Sequence, residues 1–176
     1  MMRVDLYNAF VVAAGQVLAT EIGVKIKRGA LSLERETYVT DDITVLLNLI
    51  GDVWGVAFYS LSFETAKEFV GRMLGQQVTS FDELAMSGIA ELGNVITGQA
   101  STKLAEMGLN TDISVPSLIV GKGSRISTLD IDRLVIPLET EVGIFRLDLA
   151  LRESDSNRAS RAGSAVPMRI VTGTVG

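Results

Sequence analysis

The spacing of apolar and polar positions predicts an amphipathic helix over residues 4–22, stopped at Gly23 by a glycine C-cap. β-Branched runs such as Thr44-Val45-Leu46-Leu47 follow within residues 24–50. Gly51-Asp52 reads as a turn and residues 53–61 as a strand rich in aromatics, so the two runs predict a hairpin. Ser62 caps a short helix over 63–74, with Glu64 near its positive end. Asp82 opens a long helix that runs to Met107 and stops at Gly108. Residues 111–120 predict a strand interrupted by Pro116, hence an edge or a bulge. Gly121-Lys122-Gly123-Ser124 is a turn, and 131–138 with 141–151 form a second hairpin. The order helix, strands, helix, helix, strands predicts an α/β fold, a mostly antiparallel sheet with packed helices.

The composition changes after Arg152. Residues 153–164 are Ser, Arg, Ala, Asp and Gly without periodicity, so 1–152 reads as one domain and 153–176 as a disordered C-terminal tail. Residues 166–175 are mildly apolar and could pair as a short strand. A weak internal two-fold repeat is visible. Glu21-Ile22-Gly23-Val24 echoes Glu106-Met107-Gly108-Leu109, and Trp54-Gly55-Val56 echoes Val142-Gly143-Ile144. Each half would then be a helix followed by strands.

The long helix divides its residues sharply. Ser87, Glu91, Asn94, Gly98, Ser101 and Ala105 fall on one narrow face, and Ala85, Ile89, Leu92, Ile96, Ala100, Leu104 and Met107 on the opposite one. The apolar face predicts core. The other lacks the long charged side chains of a solvated face around its Glu-Asn pair. Gly88, Gly93 and Gly98 each cost the helix about 1 kcal/mol relative to Ala, so close backbone approach is expected there. Gly88 and Gly93 are expected to admit neighbouring helices. Gly98 lies on the Glu91-Asn94 face and is expected to admit a partner.

Composition narrows the chemistry. The chain has 176 residues, no Cys and no His, which excludes disulfides, thiol nucleophiles, imidazole bases and His-ligated metals. Its net charge of -5 argues against nucleic acid as a partner. Apolar residues make up 47%, yet no run approaches a membrane span, and the excess fits a large core plus a contact surface for a second subunit. The start, Met1-Met2-Arg3-Val4-Asp5, carries no signal-peptide pattern, so the cytoplasm is the expected compartment. Gly93-x4-Gly98 is no phosphate loop, since Gln99 and Ala100 follow it.

Ser87, Glu91 and Asn94, followed by Pro116, keep the spacing Asp/Ser-x3-Glu-x2-Asn-x21-Pro. This resembles the consensus of the CheC/CheX/FliY phosphatases of bacterial two-component signalling, and Phe81-Asp82-Glu83-Leu84-Ala85-Met86 through Lys103-Leu104 looks like the CheX branch. The resemblance implies a CheC-like fold and a phosphatase acting on the phospho-aspartate of a CheY-like response-regulator receiver domain. It implies Asn94 as the group orienting the attacking water and Glu91 as a docking residue paired with a receiver lysine. Ser87 and Gly98 would line the docking face. No cofactor of the chain's own is implied, because the Mg²⁺ belongs to the receiver. A homodimer joined edge to edge through its sheets is also implied. The rival is a non-catalytic module that binds a receiver or the flagellar switch. Aligned through Gly23 and Gly108, Glu91 falls opposite Leu6 and Asn94 opposite Ala9, with Asp5-x-x-Asn8 one residue out of phase. The first half thus lacks the pair, and one site is expected.

Overall fold

The structure is a computed structural model that describes residues 3–35, 37–128, 130–155 and 170–171. Helix α1, Val4–Val17, runs on into one π-helical turn, Leu18–Ile22, and stops at Gly23, whose φ of 72° needs no Cβ to accommodate. The expected strand region that follows is four strands: β1 (Lys27–Arg28), β2 (Ser32–Glu34), β3 (Tyr38–Val39) and β4 (Ile43–Gly51). Strand β5 (Val53–Leu61) completes the first hairpin. Helix α2 (Phe63–Leu74) starts where the Ser62 hydroxyl accepts the Thr65 amide. Helix α3 (Glu83–Glu106) comes next, followed by β6 (Thr111–Ile113), β7 (Ser117–Val120), β8 (Arg125–Ile126), β9 (Arg133–Thr140) and β10 (Gly143–Glu153).

One sheet organises the molecule. Its path is β1-β9-β10-β5-β4-β6, with β2 also on β9 and β7 also on β4, and every pairing is antiparallel. Along β5 the side chains alternate: Ala57, Tyr59 and Leu61 join the core under the helices, while Val56 and Phe58 face a second, smaller core. That second core is covered by a small sheet, β3 and β8 with a further strand β11 (Ile170–Val171) on β8. Beside it Asp148 is buried and accepts from Arg133 Nε at 2.9 Å and Arg146 Nε at 2.7 Å, and Arg133 also pairs with Glu34 of β2. Burial pushes the Asp148 carboxyl upward, against the pull of the two guanidiniums.

The repeat is architectural. Each half is a helix ending at a left-handed glycine, two short edge strands, one short strand of the small sheet, and a long hairpin. The two hairpins meet at β5 and β10 in the middle, so the sheet order reads the same from either edge. The interruption expected at Pro116 is the step between β6 and β7, both on β4 at the sheet edge. Glu153 still belongs to β10, and Ile170–Val171 pairs with β8. The expected tail otherwise falls largely on 156–169 and 172–176, which lie outside the described residues.

Candidate functional site

Helix α3 is fixed first at its start, where Asp82 Oδ1 accepts the Ala85 amide at 2.9 Å. Ala85, Ile89, Leu92, Ile96, Ala100 and Leu104 are buried against the sheet and α1. Met107, expected with them, is exposed because the helix has ended before it. A Cβ on Gly93 would stand 2.8 Å from Val45 Cγ1 and 3.3 Å from Tyr59 Cδ2, so α3 rests its backbone directly on β4 and β5. This corrects the expectation for Gly93, which admits the sheet rather than a helix. Gly88 does face α2, but at ordinary contact distances of 3.8 and 3.9 Å from Val70 and Met73.

A hydrogen-bond chain locks the same turn. Thr97 Oγ1 donates to the Gly93 carbonyl at 2.7 Å, which uses its only proton, so Tyr59 donates its phenol to Thr97 at 2.8 Å. Burial pushes the Tyr59 phenol far above its usual range, and it remains a donor. Asn94 therefore projects from a helical turn tied to the sheet on its inner side.

The outer side is open at one end and closed at the other. Ser87 and Glu91 are exposed, and Asn94 and Gly98 are half-buried. Neither the Glu91 nor the Asn94 side chain has a hydrogen-bond or ion-pair partner among the described residues. Ser101, expected on the same open face, is instead bonded to Thr111 of β6, to its carbonyl and its hydroxyl, each at 2.8 Å. A Cβ on Gly98 would meet Ile113 Cδ1 at 3.9 Å and is otherwise unobstructed. Ile113 thus lies against Gly98, while Leu118 stands opposite Val45, the residue under Gly93. The Ser114-Val115-Pro116 step joins these two points, from β6 against Gly98 to β7 paired with the strand under Gly93. The four residues expected from the sequence, Ser87, Glu91, Asn94 and Gly98, share one accessible strip with Pro116 at its margin.

The structure corrects the alignment of the two halves. The Gly23 amide donates to the Leu18 carbonyl, five residues back, which is the π spacing and inserts one residue relative to the end of α3. Anchoring the comparison on Gly23 and Gly108 therefore misplaces the helix bodies by one. Burial restores the frame: Leu6, Phe10, Ala14 and Leu18 correspond to Leu92, Ile96, Ala100 and Leu104, all buried. Gly15 then matches Ser101, and it lies against Ile26 (3.1 Å to the built Cβ) just as Ser101 meets Thr111. In this frame Asp5 and Asn8, not Leu6 and Ala9, stand opposite Glu91 and Asn94. Both are exposed. Asp5 is held by Arg3, Nη2 to Oδ2 at 2.5 Å, and Arg3 also bonds Glu153 at 3.0 Å. Comparing the four-residue apolar rhythm of the two helices, rather than their terminal glycines, would have found this pair in the sequence.

Comparison with known proteins agrees with this architecture. The family model described as chemotaxis phosphatase CheX matches residues 43–139, from β4 through most of β9 and including all of α3. The CheY-P phosphatase CheX of Thermotoga maritima is 28% identical over 131 residues, covering 74% of this chain and 84% of that protein. A CheC-like superfamily protein from Shewanella sp. PV-4 superposes with a TM-score of 0.78 at 25% identity, covering 86% of this chain and 99% of that one. A crystal structure of the CheX-CheY-BeF3-Mg complex from Borrelia burgdorferi matches with a TM-score of 0.68 at 25% identity, over 86% of this chain and 100% of that one. No helix among the described residues is long and apolar enough to cross a membrane. With the sheet, the paired helices and the matched stretch all in agreement, the chain belongs to the chemotaxis phosphatase CheX family.

Proposed function

We propose that the chain hydrolyses the phospho-aspartate of a CheY-like receiver domain, using the open strip of α3. The observation that carries this reading is the pair Glu91 and Asn94, side by side on a rigid helix, their side chains without partners among the described residues. The relatives' names, a CheY-P phosphatase and a CheX-CheY complex, support the choice of substrate. The chemistry asks little of the protein. A water oxygen attacks phosphorus in line, the bond from phosphorus to the aspartyl oxygen breaks, and a carboxylate and inorganic phosphate result. A carboxylate leaves without a general acid, so placement of the water is the main requirement. The Asn94 amide oxygen accepts from that water and its nitrogen donates toward the phosphoryl oxygens. Glu91 aligns the receiver through a charge pair with a receiver lysine. The spacing i, i+3 lets both side chains enter one cleft. Ser87 and Gly98 contribute small surfaces that let the receiver backbone come close.

In this reading the chain holds no metal or cofactor of its own; the Mg²⁺ is the receiver's. The protein works in the cytoplasm. A homodimer through sheet edges fits the outer strand β2, whose three residues, Leu33 among them, are all exposed, with Leu31 exposed just before it. The test is the decay of a receiver phosphorylated by a small-molecule phosphodonor, with Mg²⁺, with and without this protein. Acceleration over spontaneous decay is expected. Binding without acceleration would make the protein a non-catalytic receiver-binding module. With no His in the chain, turnover should also vary little between about pH 6 and 8 once the receiver's own decay is subtracted. A bell-shaped profile would reveal a base that this mechanism lacks.

A further inference from the structure

We propose that two exposed apolar side chains, Leu84 and Val115, are the anchors that seat the phospho-receiver over Glu91 and Asn94. This rests on the receiver reading above and names the part of the surface that confers affinity rather than chemistry. Leu84 is 59% exposed and Val115 83% exposed, although both are large and aliphatic. Leu84 lies two turns before Glu91 and nearly in line with it along the helix. Val115 lies on the other flank. Leu84 thus stands up the helix from Glu91, and Val115 in the edge step between β6 and β7.

Val115 is exposed but held firmly. The Ser114 amide donates to the Asn48 carbonyl at 2.9 Å, and the Ser114 hydroxyl accepts the Asn48 amide at 2.9 Å. That hydroxyl also donates to the Val115 carbonyl at 3.0 Å. Pro116 follows, and a residue before proline is confined to extended backbone. A rigid apolar tip loses little freedom on binding, so it suits recognition. Leu84 gains the same benefit from the capped first turn of α3. Among the described residues, neither side chain packs into the two cores.

The occupant is the phosphorylated receiver domain of the proposed function, a relative of which was crystallised as a CheX-CheY complex, and it would have to bring apolar side chains to both flanks. Contacts on both flanks would exclude bulk water from the strip between them. Exclusion strengthens the Glu91 charge pair by lowering the local dielectric. This is the arrangement of a central polar contact ringed by groups that keep solvent out.

The test uses Leu84→Ser, Val115→Ser and the double variant, with Leu74→Ser at the end of α2 as an exposed apolar control. Affinity for a receiver treated with Mg²⁺ and beryllofluoride and the kinetics of receiver dephosphorylation are both measured. Each single variant should weaken binding and raise KM about tenfold, with kcat within about twofold of the parent, and Leu74→Ser should change neither. Binding and KM unchanged in the double variant would overturn the proposal. So would a loss that sedimentation traces to a broken dimer, which would assign these residues to a second copy. A parent protein that binds the receiver without hydrolysing it would remove the phosphatase reading, yet the binding measurement would still decide the anchors. A parent that does not bind the receiver at all would overturn both.

Discussion

Helices α1 and α3 occupy equivalent places in the two halves, yet they differ where it matters. Both lie on the sheet, both carry an acidic residue and an Asn three positions apart on the outer side, and both end at a left-handed glycine. On α1 the acid is Asp5, one methylene shorter than Glu, and Arg3 already occupies it. On α3 the acid is Glu91, whose side chain has no partner among the described residues. The helix α3 begins at Glu83, two turns ahead of Glu91, and that extension carries Leu84; α1 begins at Val4, immediately before Asp5. Under the corrected frame Gly93 stands opposite Tyr7, so α3 meets the sheet with bare backbone where α1 has an aromatic side chain. The two halves thus share one scaffold and differ in whether the acid is already paired.

The comparison breaks most clearly at the two asparagines. Asn94→Ala should lower receiver dephosphorylation by about a hundredfold, the scale for losing one positioned hydrogen-bonding group, while Asn8→Ala should leave it unchanged. Equal effects would mean that α1 carries a working site. Next come the positions of closest approach. Gly98→Arg should reduce receiver affinity roughly tenfold or more by steric blockage, whereas Val12→Arg, its counterpart on α1, should be neutral in the same titration. Glu91→Ala should weaken binding by about threefold in physiological salt and more in dilute buffer, where a charge pair is least screened. Affinity independent of salt would place Glu91 outside the contact. Asp5→Ala has only the exposed Arg3 pair to lose and should not alter binding at any ionic strength.

The smallest effects concern the fit of α3 on its sheet. Gly93→Ala puts a methyl group into Val45 and loosens the Tyr59–Thr97 chain, so a stability loss of about 1–3 kcal/mol is expected in denaturant titrations. Gly88→Ala meets only ordinary contacts and should stabilise by about 0.4–1 kcal/mol, since the helix gains a better former. A neutral Gly93→Ala would show that the backbone contact is not needed.

Much of this was legible because it depends on local rules. Ser62, Asp82, Gly23 and Gly108 mark helix ends through capping chemistry that needs no tertiary information. The strip of Ser87, Glu91, Asn94 and Gly98 follows from a period of 3.6. What the sequence did not disclose depends on contacts between distant residues. The closing of Ser101 requires β6 to return beside α3. The partner of Gly93 is a strand nearly fifty residues earlier, a distance at which a helix or a sheet would look alike from the glycine itself. The π turn at Leu18–Ile22 leaves no mark of its own in the sequence, because its apolar residues satisfy an α pattern as well as a π one. That single inserted residue hid the correspondence between Asp5-Asn8 and Glu91-Asn94.

In the proposed function the phosphorylated receiver docks on α3 and not on its counterpart. The most direct measurement follows the side-chain amide signals of Asn94 and Asn8 by ¹⁵N-edited NMR as a receiver treated with Mg²⁺ and beryllofluoride is added. Substitution of each Asn assigns its signal. The Asn94 side-chain signal should move saturably with receiver concentration while that of Asn8 stays in place. A saturable shift at Asn8, or an Asn94 signal that does not respond while the complex forms, would contradict this docking.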